Sequence, residues 1–221
     1  MVISENKNFI GVLGGTFDPI HLGHLSIAID AINLLGTKNI RFIPSNIPVH
    51  RSIPQANANH RMAMIELLAN EDKRIIADPR EVARKGESYM IETIRSLKTD
   101  FPSKVICLIL GNDAFNEFLT WKDPDEILSL SHIIVMKRPG VIDTNNEAIV
   151  RLLKNHKCTK IEEMESNNFG KILFYPATQI NISSSDVRVK IKENKDLSGT
   201  LHPKIISYIS ENNLYKNNQT N

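Results

Sequence analysis

A chain of 221 residues, 41% hydrophobic and 24% charged, has the balance of a folded globular protein and excludes a disordered or collagen-like one. Its 27 Lys and Arg against 25 Asp and Glu leave a net charge of +2, too balanced to imply a nucleic-acid surface. Cys107 lies in the apolar run VICLIL and Cys158 in polar NHKCTK, with only His156 nearby, so neither a disulfide framework nor a closed metal site is suggested. The opening MVISENKNF lacks the layout of a signal peptide and no apolar run reaches about 18 residues, so a soluble, cytoplasmic protein with no membrane partner is expected.

In chain order, NFIGVLGG reads as a buried strand because it is apolar on both faces. LSIAIDAINLLG follows as a helix, with Leu25, Ala28, Ile29, Ile32 and Leu35 on one stripe and Gly36 as its stop. NIRFIP is a second strand, HRMAMIELLAN a second core helix, KRIIADP a third strand and SYMIETIRSLKTD a helix with Ser88 as its candidate N-cap. KVICLILG is the fourth and most apolar strand. After DPDEILSL, SHIIVMKRPG gives a fifth strand ended by Pro139 and Gly140, and KILFYPA a sixth. SSDVRVKIKE and HPKIISYISENN close the chain as short helices.

Strands separated by helices imply right-handed crossovers, hence an α/β, doubly wound, mostly parallel sheet with a small C-terminal helical portion. The expected division is one domain over 1–192, a helical extension over 193–215 and a frayed tail over 216–221. The polar, Asn-rich stretch 141–169 is expected as a surface insertion. Ligands of such sheets bind beyond the carboxyl ends of the strands, where strand order reverses. GGTFDPIHLGH, PSNIPVHR, DPREVARKGESY, GNDAF and ATQINISSS all follow apolar strands, so these segments are the candidates for function.

The first of them carries no G-x-G-x-x-G, since Leu13 and Thr16 stand where glycines are needed, and no G-K-[ST] is present. Gly14 and Gly15 nonetheless end a buried strand just before a helix, which aims backbone N–H groups and the positive helix end at one place, a seat for an anion. His21 and His24, three apart, lie on the same side of that helix, and Gly23 between them permits close approach. A tight turn with two ordinary histidines is the simpler account; the pairing beside a glycine-rich strand end favours a phosphate site.

GGTFDPIHLGH also resembles the G-G-x-F-D-P-x-H-x-G-H signature of the nucleotidylyltransferases, in the variant of bacterial nicotinate-nucleotide adenylyltransferases. The H-x-G-H core has relatives in class I aminoacyl-tRNA synthetases and cytidylyltransferases, so the later segments decide. Pro44, Pro48 and His50 match the family's P-x-x-x-P-x-H-K, with Arg51 in place of Lys, a fork instead of a point charge. ADPREVARKGESYM is similar to D-x-R-E…R-x-G-x-S-Y-T, with Met90 for Thr, and GNDAFNEFLTW to G-x-D…W. Trp121, the single tryptophan, stands among Thr120, Lys122 and Asp123, company that suits an aromatic platform. NISSSDVRVKI is similar to I-S-S-T-x-I-R, with Ser185 for Thr. Ser183 and Asp186 also make an S-x-x-D capping box, which explains the serines but not Arg188.

The resemblance covers roughly residues 9–192 and implies adenylyl transfer from ATP to nicotinate mononucleotide, giving nicotinate adenine dinucleotide and pyrophosphate. It implies catalytic roles for His21, His24 and Arg188. It implies ATP contacts at Gly14, Gly15, Thr16, Phe17, His21, His24, Gly111, Asp113, Ile182, Ser183, Ser184 and Arg188. The mononucleotide would meet Thr16, Ser45, His50, Arg51, Gly86, Tyr89, Trp121 and Lys122, with backbone at Gly86 and Lys122 reading its carboxylate. Mg²⁺ would travel on the ATP phosphates, since the chain has no acidic cluster built to hold it. Oligomeric state stays open between monomer and homo-oligomer. The rivals are a sibling enzyme acting on nicotinamide mononucleotide or phosphopantetheine, a nucleotide sensor without catalysis, and a synthetase fragment. The last lacks a K-M-S-K-S segment.

Overall fold

A computed structural model describes residues 9–49, 52–137, 146–178 and 180–216. The chain runs β1 (Phe9–Gly15), α1 (Leu22–Leu35), β2 (Ile40–Pro44), β3 (Ile47–Pro48), α2 (Ala58–Glu71), β4 (Ile75–Ala77), β5 (Glu87–Ser88) and α3 (Met90–Asp100). It continues through β6 (Val105–Gly111), α4 (Asn112–Asn116), a 3₁₀ turn at Phe118–Thr120, α5 (Pro124–Leu130), β7 (Ser131–Lys137), α6 (Glu147–His156), β8 (Lys157–Cys158) and α7 (Ile161–Glu165). It ends with β9 (Ile172–Pro176), α8 (Ser184–Lys192) and α9 (Pro203–Glu211).

The main sheet has the order β4-β2-β1-β6-β7-β9-β8, and every pairing in it is parallel. A parallel sheet needs both faces covered, which is why its central strands are apolar throughout: the first six residues of β6 and of β7 are all buried. Successive side chains feed two separate cores. Leu13, Phe42, Ile109 and Ile134 face α1, α2, α8 and α9. Their chain neighbours Val12, Ile43, Leu108 and Ile133 face α3, α5 and α6. The chain leaves β1 toward β2 on one side and later returns to place β6 on the other, so strand order reverses between β1 and β6.

Two expectations change. Ser88 does not cap α3. Tyr89 holds that position, and Ser88 pairs with Pro48 in a small β3–β5 sheet, its hydroxyl accepting from the Asn46 N–H at 2.8 Å. The stretch 141–169, expected as a surface insertion, is described from Asn146 onward and there forms α6, β8 and α7. It contributes the sheet's edge strand and buries Ile149, Cys158 and Met164. Its polar residues lie on the outer faces of short elements, which hid so few apolar contacts from composition. Pro139 and Gly140, and residues 217–221 of the expected tail, lie outside the described residues.

Candidate active site

Beyond the carboxyl ends of β1 and β6 opens a cleft of about 600 Å³. The loop after β1 forms its floor. Gly23 is closely packed there: a Cβ would stand 3.0 Å from the His21 ring, a tight contact, and 3.6 Å from the Ile180 carbonyl oxygen. The close approach expected at this glycine is thus made by His21. The imidazoles of His21 and His24 stack with centroids 3.7 Å apart and planes 28° from parallel, and Phe17 meets His24 edge-on at 5.0 Å.

The His21 backbone N–H donates to His24 Nδ1 at 3.2 Å. Nδ1 therefore acts as an acceptor, and neutral His24 carries its proton on Nε2. Burial, then the adjacent His21, holds the His24 pKa well below the usual imidazole value. His24 is thus a neutral hydrogen-bond donor at neutral pH.

Across the cleft stands the start of α8. Ser183 caps it, accepting from the Asp186 N–H at 3.1 Å and donating to the Asp186 carboxylate at 2.6 Å, so the capping role read from sequence is real. Ser184 donates to the Pro19 carbonyl at 3.0 Å, locking this turn to the first loop. Arg188, one turn on, donates to the Asp18 carbonyl at 2.7 Å and to Ser185 Oγ at 3.1 Å, and lies 3.7 Å from the Asp18 carboxylate. The cleft thus brings together a helix N-terminus, a guanidinium and a strand-end loop, a setting suited to a polyanion.

The opposite end of the cleft is lined by Ser45, Tyr89, Trp121 and Lys122. Trp121 is half-buried on the cavity wall and packs edge-on against Phe118. Lys122 Nζ lies 4.3 Å above the Tyr89 ring and 3.5 Å from Glu92. Gly111, Asp113 and Ile182 also line the wall, with Gly14, Gly15 and Thr16. Gly86 does not. Its φ of +91° turns the exposed loop so that Ser88 and Tyr89 reach the cavity while Gly86 stays outside its wall. His50 and Arg51 lie outside the described residues.

Sequence reasoning gave no role to Asp18, Asn46, Arg61 or Glu81. Asp18 accepts from the Gln55 and Ala56 N–H groups at 2.8 and 3.0 Å, tying the first loop to the entry of α2. Buried Tyr215 lies beside it, and burial with the Asp18 charge pushes the phenol pKa up. Arg61 shares a stripe with Met64, Ile65 and Leu68, all buried; a cation on an apolar stripe was a readable signal. Among the described residues no group of three or more His, Cys, Asp or Glu could hold a metal, and no helix is long and apolar enough to cross a membrane.

Comparison with known proteins places this geometry in context. The cytidylyltransferase-like family profile matches residues 12–190. The chain is 36% identical over 207 residues to a protein of Psychromonas ingrahamii named probable nicotinate-nucleotide adenylyltransferase, covering 94% of this chain and 97% of that one. It is 32% identical to a protein of the same name from Aeromonas hydrophila, with the same coverage. In fold it resembles the Plasmodium falciparum nicotinic acid mononucleotide adenylyltransferase solved in complex with NaAD, with a TM-score of 0.71 and 20% identity over 94% of this chain and 97% of that one.

Proposed function

The chain belongs to the cytidylyltransferase-like family and, within it, to the nicotinate-nucleotide adenylyltransferases, and from that premise we propose how it moves the adenylyl group of ATP onto nicotinate mononucleotide. The 5′-phosphate oxygen of the mononucleotide attacks the α-phosphorus in line, and the bond to the β-phosphate oxygen breaks. Nicotinate adenine dinucleotide and pyrophosphate result. The attacking phosphate is already anionic near neutral pH, so no side chain has to remove a proton. The protein's task is to position the two phosphates and to answer the charge that grows on the α-phosphate and the leaving group.

The stacked His21–His24 pair carries this reading, set at the strand-order reversal and opposite the α8 N-terminus. Neutral His24 donates from Nε2 to the α-phosphate, at no desolvation cost for an imidazolium. Arg188 and the first turn of α8, with Ser183 and Ser184, meet the β- and γ-phosphates. Gly14, Gly15, Thr16 and Phe17 cradle the α-phosphate, and Gly111, Asp113 and Ile182 face the adenosine. Ser45, Tyr89, Trp121 and Lys122 receive the pyridine nucleotide, with His50 and Arg51 at its phosphate. Gly86 shapes that end from behind through the turn it makes. Mg²⁺ enters with the triphosphate as part of the substrate, and the reaction runs in the cytoplasm.

The test is pyrophosphate release with ATP and Mg²⁺, offering nicotinate mononucleotide, nicotinamide mononucleotide and phosphopantetheine separately. Release with the nicotinate form and little with the others is expected. Equal release with the amide removes the acid-reading pocket from the proposal, and silence with all three overturns the catalytic role of the histidine pair.

A further inference from the structure

We propose that Arg61 is a positioning residue that sets the shape of the acceptor half of the cleft; this rests on the assignment of that half to the mononucleotide. Arg61 is 1% exposed and sits on α2, away from the cavity wall. Its Nη1 donates to the Thr16 carbonyl at 2.7 Å, its Nη2 to the Asn46 carbonyl at 3.0 Å and its Nε to the Ala56 carbonyl at 3.1 Å. One rigid fork thus joins the loop after β1, the loop after β2 and the entry of α2. Burial lowers the guanidinium pKa and the nearby Asp18 and Tyr215 oppose that shift.

The linkage continues through Asn46. Its side-chain amide donates to the carbonyls of Arg84 and Gly86 at 3.0 and 3.2 Å, and its N–H donates to Ser88 Oγ at 2.8 Å. Arg61 therefore fixes Asn46, and Asn46 fixes the 84–88 loop that delivers Ser88 and Tyr89 to the cleft. Thr16, Ser88 and Tyr89 line the cavity while Arg61 and Asn46 do not, so the effect of these two on substrate is indirect. A buried cation is a costly way to hold carbonyls, and no other side chain offers five N–H donors in one plane. Lysine at this position could satisfy one carbonyl well and would leave the fork's geometry unset.

The test compares wild type with Arg61→Lys and Asn46→Ala. The second variant breaks the relay without disturbing the buried charge, so it stays informative if the first folds poorly. Three readouts are taken: KM for each substrate, amide hydrogen exchange, and the thermal midpoint. Asn46→Ala, which leaves the Thr16 contact intact, is expected to raise KM for nicotinate mononucleotide about tenfold or more while KM for ATP stays within about twofold; Arg61→Lys, which also loosens the Thr16 loop, is expected to raise both, the mononucleotide KM more. Exchange should accelerate in peptides 44–48 and 84–88 and not in β6 or β7. A lowered midpoint with exchange in both loops unchanged overturns the proposal, as does an equal rise in both KM values. If the wild type fails to turn over the mononucleotide, the functional reading fails, and the exchange data still decide whether Arg61 sets these loops.

Discussion

On one side of the strand-order reversal the cleft presents reactive side chains: the stacked His21 and His24, and facing them Arg188 and the capped start of α8. On the other side, the loops after β2 and β4 show the cavity the Tyr89 ring and small polar groups, while Asn46 and Arg61 hold backbone carbonyls and Glu81, itself on the wall, holds the Thr93 hydroxyl. The first half does its work with groups that would touch phosphate. The second does its work with shape. Phosphate needs donors and positive potential, which side chains and helix ends supply directly, whereas a flat pyridine ring needs a slot of fixed width.

The comparison breaks most visibly at His24. His24→Ala should lower kcat by about a hundredfold or more, the usual effect of removing one donor to developing charge, while the fold and both KM values change little. Steady-state pyrophosphate release with circular dichroism checks this, and near-normal turnover would remove His24 from the chemistry. Trp121→Ala should act differently. It deletes a stacking face, so KM for nicotinate mononucleotide should rise by about tenfold, as for other ring-stacking contacts, with kcat and KM for ATP nearly unchanged. Trp121→Phe should recover part of the loss. Equal effects on both substrates would mean that Trp121 only buttresses Phe118.

A smaller effect follows from the His24 environment. Its folded pKa lies below that of the unfolded chain because burial and His21 disfavour the cation. Folding stability is therefore fully present above the ordinary imidazole pKa and declines as pH falls from about 6.5 toward the folded value. Denaturant unfolding across that window should show a shallower decline for His24→Gln than for wild type. Parallel curves would contradict the buried, neutral state.

The same contrast explains what could be read before any coordinates. The doubly wound sheet was legible because apolar runs without alternation alternate with helical stripes, and the strand ends pointed to the loops that form the cleft. His21, His24 and Arg188 were legible because paired imidazoles beside a glycine-rich strand end, and a guanidinium one turn into a capped helix, are chemically conspicuous and cluster in short motifs. Arg61 showed only as a cation on an apolar stripe, and its role stayed hidden because it acts through carbonyls of Thr16 and Asn46 that are distant in sequence and carry no side-chain signature. Gly86, read as a binding residue, takes a positive φ and lies off the cavity wall, a placement that spacing along the chain does not show. The edge strand β8 escaped notice because two residues are too short to show a period.

Glu81 offers the finest probe of the acceptor half. It is buried on the wall of the cleft, accepts a hydrogen bond from Thr93 Oγ1 at 2.5 Å, and is faced by Ser88, Arg84 and Asp78. Burial raises its pKa and the Asp78 charge adds to that, while the Thr93 and Ser88 hydroxyls and Arg84 pull the other way; burial wins. A carboxyl whose folded pKa lies above its unfolded value holds its proton more tightly when folded, so its contribution is complete below the ordinary carboxylate range and lost as pH rises through the folded value. Glu81→Gln keeps the shape and removes the titration. Its stability should match wild type at low pH and exceed it increasingly as pH rises, until Glu81 is fully ionised in wild type. That divergence, read by denaturant unfolding at stepped pH, would mark Glu81 as a side chain kept for the loop it braces at a cost in stability. A difference that runs the other way, with wild type gaining on the variant as pH rises, would instead mean that the hydroxyl donors and Arg84 outweigh burial and hold the carboxylate ionised.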